Sequence, residues 1–172
     1  MEVDPLRRVV LLVVLVLYLP VASRAEDEFS FGVGAGLFDT AAWFENKGDF
    51  DALEAGIVLR WPTHGLWGIG PMAGLSVTDD SAFWGYFGGR RPFGLGGCVT
   101  VSPSFSVTYY EQGDGKDLGS ELEFRSGLEV ACRRANGSSL GVEFYHLSNA
   151  SISNVNPGSN SLWVIYTVPF GG

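Results

Sequence analysis

The chain has 172 residues, enough for one domain, and is 46% hydrophobic against only 17% charged, with 24 Gly, 12 Phe, 6 Tyr and 5 Trp. So many aromatics and so little charge exclude an intrinsically disordered chain, and 2 Cys with no Gly-X-Y period exclude disulfide-rich and collagen-like classes. A formal net charge of −8 excludes an electrostatic nucleic-acid binder.

The chain opens with an address. Arg7-Arg8 precede an apolar run from Val9 to Leu19, Pro20 breaks it, and Ser23-Arg24-Ala25 sets small residues at −3 and −1 of a cut before Glu26. That is the three-part secretory signal pattern, and its apolar core is too short to span a bilayer as a helix. Residues 1–25 are therefore read as a cleaved signal peptide and 26–172 as the mature domain.

The mature chain alternates with the period of a strand. In 29–38 the odd positions Phe29, Phe31, Val33, Ala35 and Leu37 are apolar and the even ones are mostly Gly. In 50–61 Leu53, Ala55, Ile57 and Leu59 oppose Glu54, Gly56 and Arg60; in 67–77 Ile69, Ala73, Leu75 and Val77 oppose Gly70, Gly74 and Ser76. Segment 82–90 is aromatic and ambiguous in phase. In 98–110 Val99, Val101, Phe105, Val107 and Tyr109 oppose a Ser/Thr face; in 120–133 Leu122, Phe124, Leu128 and Val130 oppose Glu123, Arg125 and Glu129. In 138–149 Leu140, Val142 and Phe144 oppose Glu143 and Tyr145; in 161–170 Leu162, Val164, Tyr166, Val168 and Phe170 oppose Ser161 and Thr167. Turn signals such as Asp79-Asp80, Gly113-Asp114-Gly115, Asn136-Gly137 and Asn156-Pro157-Gly158 separate these strands.

Eight such strands predict an all-β, eight-stranded antiparallel barrel. A soluble barrel would turn its polar face to water, but these polar faces carry Gly, Ser and Thr with few charges. They suit the cramped interior of a transmembrane barrel whose apolar face meets lipid. An eight-strand lumen is also too narrow for a wide pore, which argues against a channel. Cys98 falls on the polar phase and Cys132 on the apolar phase. Bridging residues must share a face, so without a bulge two free buried thiols are expected.

One stretch carries chemistry. His146 and Ser148 are two apart, about 7 Å along a strand, and both share the lipid-facing phase of Val142 and Phe144. A serine nucleophile needs a base within hydrogen-bond reach, and a polar pair on a lipid face is costly unless it functions. On spacing alone the pair could equally mark the strand's exit into headgroups. His64, in a Pro-Thr-His-Gly turn, is read as solvated.

The string His146-x-Ser148-Asn149-Ala150, with the Asn156-x-Gly158 loop and a last strand ending near Pro169-Phe170, resembles the signature of bacterial outer-membrane lipid A 3-O-deacylases of the PagL type. The resemblance implies an eight-stranded barrel whose site faces the outer leaflet and cuts the ester at the 3-position of lipid A. It implies Ser148 as nucleophile and His146 as general base, with Asn156 and Asn149 as oxyanion candidates. The family's triad glutamate falls here on Asn160. An amide oxygen can fix the histidine tautomer but supplies no charge. Asn160 shares the phase of His146 and Ser148; Asp39, Glu45, Asp114 and Asp117 are the loop carboxylates that could substitute. That departure also admits a catalytically impaired structural or lipid-A-binding barrel. No cofactor or metal is expected. The expected partners are lipopolysaccharide and the outer-membrane bilayer, and a homodimer is one way to bury a polar rim that faces lipid.

Overall fold

The computed structural model describes residues 28–40, 52–63 and 67–170. The expected signal peptide 1–25, His64 and Glu45 lie outside them. Strands β1 (Ser30–Phe38), β2 (Ala52–Arg60), β3 (Gly70–Thr78), β4 (Phe83–Arg90), β5 (Phe93–Gly96), β6 (Val99–Glu111), β7 (Leu122–Arg133), β8 (Ser139–Ser148) and β9 (Ser159–Pro169) form one antiparallel sheet. β1 pairs with β9 and β4 pairs with β6, so the sheet closes on itself.

The ring has eight staves, because β4 and β5 are two halves of one. Both pair with β6, and the register of Arg90↔Ser104 resumes unbroken at Phe93↔Val101. Arg91-Pro92 makes the gap, since proline has no N–H for the ladder. Arg91 still gives its own N–H to the Pro103 carbonyl at 3.0 Å. Sequence alternation does not show β5, which is four residues long and half glycine.

The period-2 reading assigns the faces correctly. Leu53, Leu75, Phe105, Leu128, Val142 and Val164 point outward and exposed, as a lipid-facing wall requires. The ambiguous segment resolves with Phe83 and Phe87 outward and Trp84 and Tyr86 buried in the lumen.

The lumen is more filled than a Gly/Ser/Thr face suggests. Trp84, Trp163, Tyr86 and Tyr145 all lie inside. Glycines of neighbouring strands make room: a Cβ on Gly34 would sit 2.5 Å from the Trp163 ring. Two interior arginines are paired with carboxylates. Arg125 donates to Glu143 at 2.8 Å and lies over the Tyr145 ring at 3.8 Å, and Trp163 Nε1 donates to the second Glu143 oxygen at 2.8 Å. Arg60 pairs with Glu129, and the Tyr145 hydroxyl donates to Glu54 at 2.5 Å. Removing one partner of such a pair strands the other without water. Glu143→Ala should therefore cost about 3–5 kcal/mol. The check is the temperature at which the compact barrel band converts to the unfolded band on an SDS gel. An unchanged temperature would show that Glu143 carries no such load.

The two ends differ. One carries Ser30, Pro169, the tight turns 97–98 and 134–138 and the β2–β3 connection; the other carries the turn 79–82 and the longer connections 112–121 and 149–158. In membrane barrels short turns face the periplasm and longer loops the outside. Cys98 and Cys132 sit at the short-turn end and form a disulfide, with Cα atoms 4.8 Å apart. This corrects the expectation of two free buried thiols. Cys98 lies in the turn before β6, after Gly96 and Gly97 at φ 106° and 59°, next to a register shift between Gly94 and Gly96. Outside the ladder, the pleat no longer dictates where its side chain points. Both cysteines are exposed rather than buried.

Candidate active site

The site sits at the long-loop end, where β8 stops and β9 starts. His146 and Asn160 are register partners across these two strands. Both belong to the outward phase, and both are half-buried among exposed neighbours such as Val142 and Phe144. His146 Nδ1 lies 2.9 Å from Asn160 Oδ1. An amide oxygen only accepts, so Nδ1 is the donor of this bond, and in the neutral tautomer it selects, Nε2 is the acceptor. Asn160 is itself held, because its carbonyl accepts the Thr40 N–H at 2.7 Å. Gly158, at φ 64°, backs the imidazole: a Cβ there would come within 2.8 Å of His146 Cε1.

Ser148 ends β8 on the same face, paired in register with Phe124. Phe124 stacks on Phe105 at 5.9 Å, which sets an aromatic wall beside the serine on the lipid side. Two residues after Ser148 the backbone turns through Ala150 and Ser151 at φ 52° and 63°. Non-glycine residues in that region cost about 1–2 kcal/mol each, and such strain collects at functional turns. Nothing in the residue types announces it.

Three other carboxylates are engaged elsewhere. Glu143 is inside, paired with Arg125. Asp39 pairs with Lys116, and Asp117 accepts the Gly119 N–H at 2.7 Å. Asp114 lies in the 112–121 connection, its N–H bonded to the Asp80 carbonyl at 3.0 Å. The atom facing Nδ1 of His146 is the Asn160 amide oxygen.

The two other asparagines do different things. Asn156 Oδ1 accepts the Asn149 backbone N–H at 3.1 Å, which turns its Nδ2 end the other way as a donor. Asn149 is fully buried and gives its amide hydrogens to Leu118 O at 3.0 Å and Val155 O at 2.8 Å. Its Oδ1 accepts the Ser151 N–H at 3.0 Å. Of the two oxyanion candidates, Asn149 is thus built into the loop frame, with both side-chain donors occupied. The arrangement can orient a base, present a serine to a lipid ester and offer one amide donor nearby.

A family model described as lipid A 3-O-deacylase (PagL) matches residues 57–169. Lipid A deacylase PagL of Pseudomonas aeruginosa is 37% identical over 54 residues, which span 31% of this chain and 31% of that relative. The crystal structure of the outer membrane enzyme PagL superposes with a TM-score of 0.67 at 20% identity, covering 82% of this chain and 99% of that one. Neisserial surface protein A superposes with a TM-score of 0.52 at 11% identity, covering 86% of this chain and 100% of that one. A de novo designed transmembrane β-barrel gives 0.56 at 11%, covering 83% and 96%. At these identities the structural matches speak for the fold alone.

Proposed function

The chain belongs to the lipid A 3-O-deacylase (PagL) family of bacterial outer-membrane barrels, and on that premise we propose that it is a serine esterase removing the 3-hydroxyacyl chain at the 3-position of lipid A. The observation that carries the reading is the hydrogen bond from His146 to Asn160, on the lipid-facing surface and two residues from Ser148. In this reading His146 Nε2 takes the proton of Ser148 Oγ as it attacks the ester carbonyl. The oxyanion is met by Asn156 Nδ2. The tetrahedral intermediate collapses with cleavage of the ester C–O bond, and His146 returns the proton to the departing sugar 3-oxygen. Water then repeats the sequence on the acyl-serine and releases the free 3-hydroxy acid.

Delivery needs no deep pocket. The substrate is already in the leaflet, and lateral diffusion brings its ester bonds to the rim. The Phe105–Phe124 wall offers its acyl chain an apolar bed beside Ser148.

The test is release of free 3-hydroxy fatty acid from lipopolysaccharide by the purified barrel in detergent. Absence of release would leave the second reading, a barrel that binds lipid A without cutting it. That reading is favoured by one observation, the amide of Asn160 where the family has a carboxylate.

A further inference from the structure

Asn156 sits in a connection, and something must hold it. The β8–β9 connection, 149–158, leans on the β6–β7 connection, 112–121. Leu118 is 1% exposed and buried in the mouth of the lumen with Phe38, Trp84 and Tyr110. From that anchor its carbonyl accepts Asn149 Nδ2, whose other hydrogen goes to Val155 O. Gly119, at φ 85°, lies against the same Val155: a Cβ there would sit 2.1 Å from its carbonyl oxygen and 2.8 Å from its carbonyl carbon. Val155 is the residue before Asn156. The brace is itself tied down ahead of Leu118. The Tyr110 hydroxyl donates to Lys116 O at 2.8 Å, and Lys116 pairs with Asp39 at the end of β1.

We propose that the β6–β7 connection is the positioning element for the oxyanion donor, with Gly119 setting the place of the Val155–Asn156 backbone against the Leu118 anchor. This rests on the esterase reading. Gly119 and Leu118 touch no substrate and act through Asn156. Their effect should fall on the chemical step and spare substrate capture.

The test is steady-state hydrolysis of lipopolysaccharide by refolded barrels. Gly119→Ala must displace the Val155 carbonyl, so kcat should fall about 100-fold, as for loss of one oxyanion donor. KM should stay within about twofold, because the transition state alone feels the missing donor. Gly115→Ala in the same connection is the control. The atoms nearest its added Cβ belong to the Asp80 carboxylate, on the side of the β3–β4 turn and not of Val155, so it should keep wild-type rates. The pair Gly119→Ala and Asn156→Ala supplies a readout that general loop damage would not give. If Gly119 works through Asn156, the double variant is no slower than Asn156→Ala alone. Should Gly119→Ala fail to assemble, Leu118→Ala reaches the same arm by removing bulk and should show the same kcat loss at constant KM. Multiplicative losses, or rates within about threefold of wild type in both Gly119→Ala and Leu118→Ala, overturn the proposal while leaving the esterase intact. A wild type that hydrolyses nothing overturns the esterase reading and this proposal together.

Discussion

Ser148→Ala should abolish lipid A deacylation while leaving the barrel whole. The serine is the last residue of β8, outward and half-buried, and makes no contribution to the packed lumen. On the proposed reading its loss removes the nucleophile from a site whose parts act as a unit, so the expected fall in kcat is about 10⁴-fold or more, limited by background hydrolysis. The compact barrel band on an SDS gel should persist to the wild-type temperature. A variant that keeps a tenth of wild-type activity would mean that another group attacks the ester. Because Glu143 and Arg125 hold the fold from inside, the same experiment on Glu143→Ala should show the opposite pattern, an unstable barrel.

Asn160→Glu should raise the rate. In the proposed triad Asn160 supplies the geometric half of the third role, since its Oδ1 lies 2.9 Å from His146 Nδ1. It lacks the charge that stabilises the imidazolium formed as Ser148 attacks. Hydrogen bonds to an ionised acceptor are roughly twice as strong as neutral ones. A gain of about 1.4–2.8 kcal/mol in the transition state corresponds to about 10- to 100-fold in kcat. The Thr40 N–H that holds the residue bonds to its backbone carbonyl, so the substitution keeps that anchor. The measurement is kcat for wild type and variant on the same lipopolysaccharide. A variant no faster than wild type would show that the charge is supplied elsewhere, and a scan of Asp39, Glu45, Asp114 and Asp117 would then find it.

Much of the fold was legible in the sequence, for a physical reason. A barrel wall has one face in lipid and one in a tight lumen, so a period of two runs through every long strand. His146 and Ser148 stand out because they are polar in the phase of Val142 and Phe144. Asn160 enters through the family resemblance, as the position of its glutamate, and shares their phase on the adjacent strand. What was hidden depends on places where the pleat stops. Arg91-Pro92 interrupts a stave that keeps its register, and Cys98 escapes the ladder through two left-handed glycines and so reaches Cys132. Phase also says nothing about volume, so the Trp and Tyr packing of the lumen appears only once Gly34 is seen beneath Trp163. The role of Asn149 was hidden for another reason. Its partners, Leu118 and Val155, belong to two connections whose approach no local pattern encodes.

The central claim is that this barrel cuts one ester of lipid A in the outer leaflet. It is tested most directly by mass spectrometry of lipid A after incubation with the wild-type barrel. The account predicts the loss of a single 3-hydroxyacyl group, with fragmentation placing the freed hydroxyl at the 3-position of the glucosamine. Lipid A of unchanged mass, or a chain lost from any other position, would contradict it.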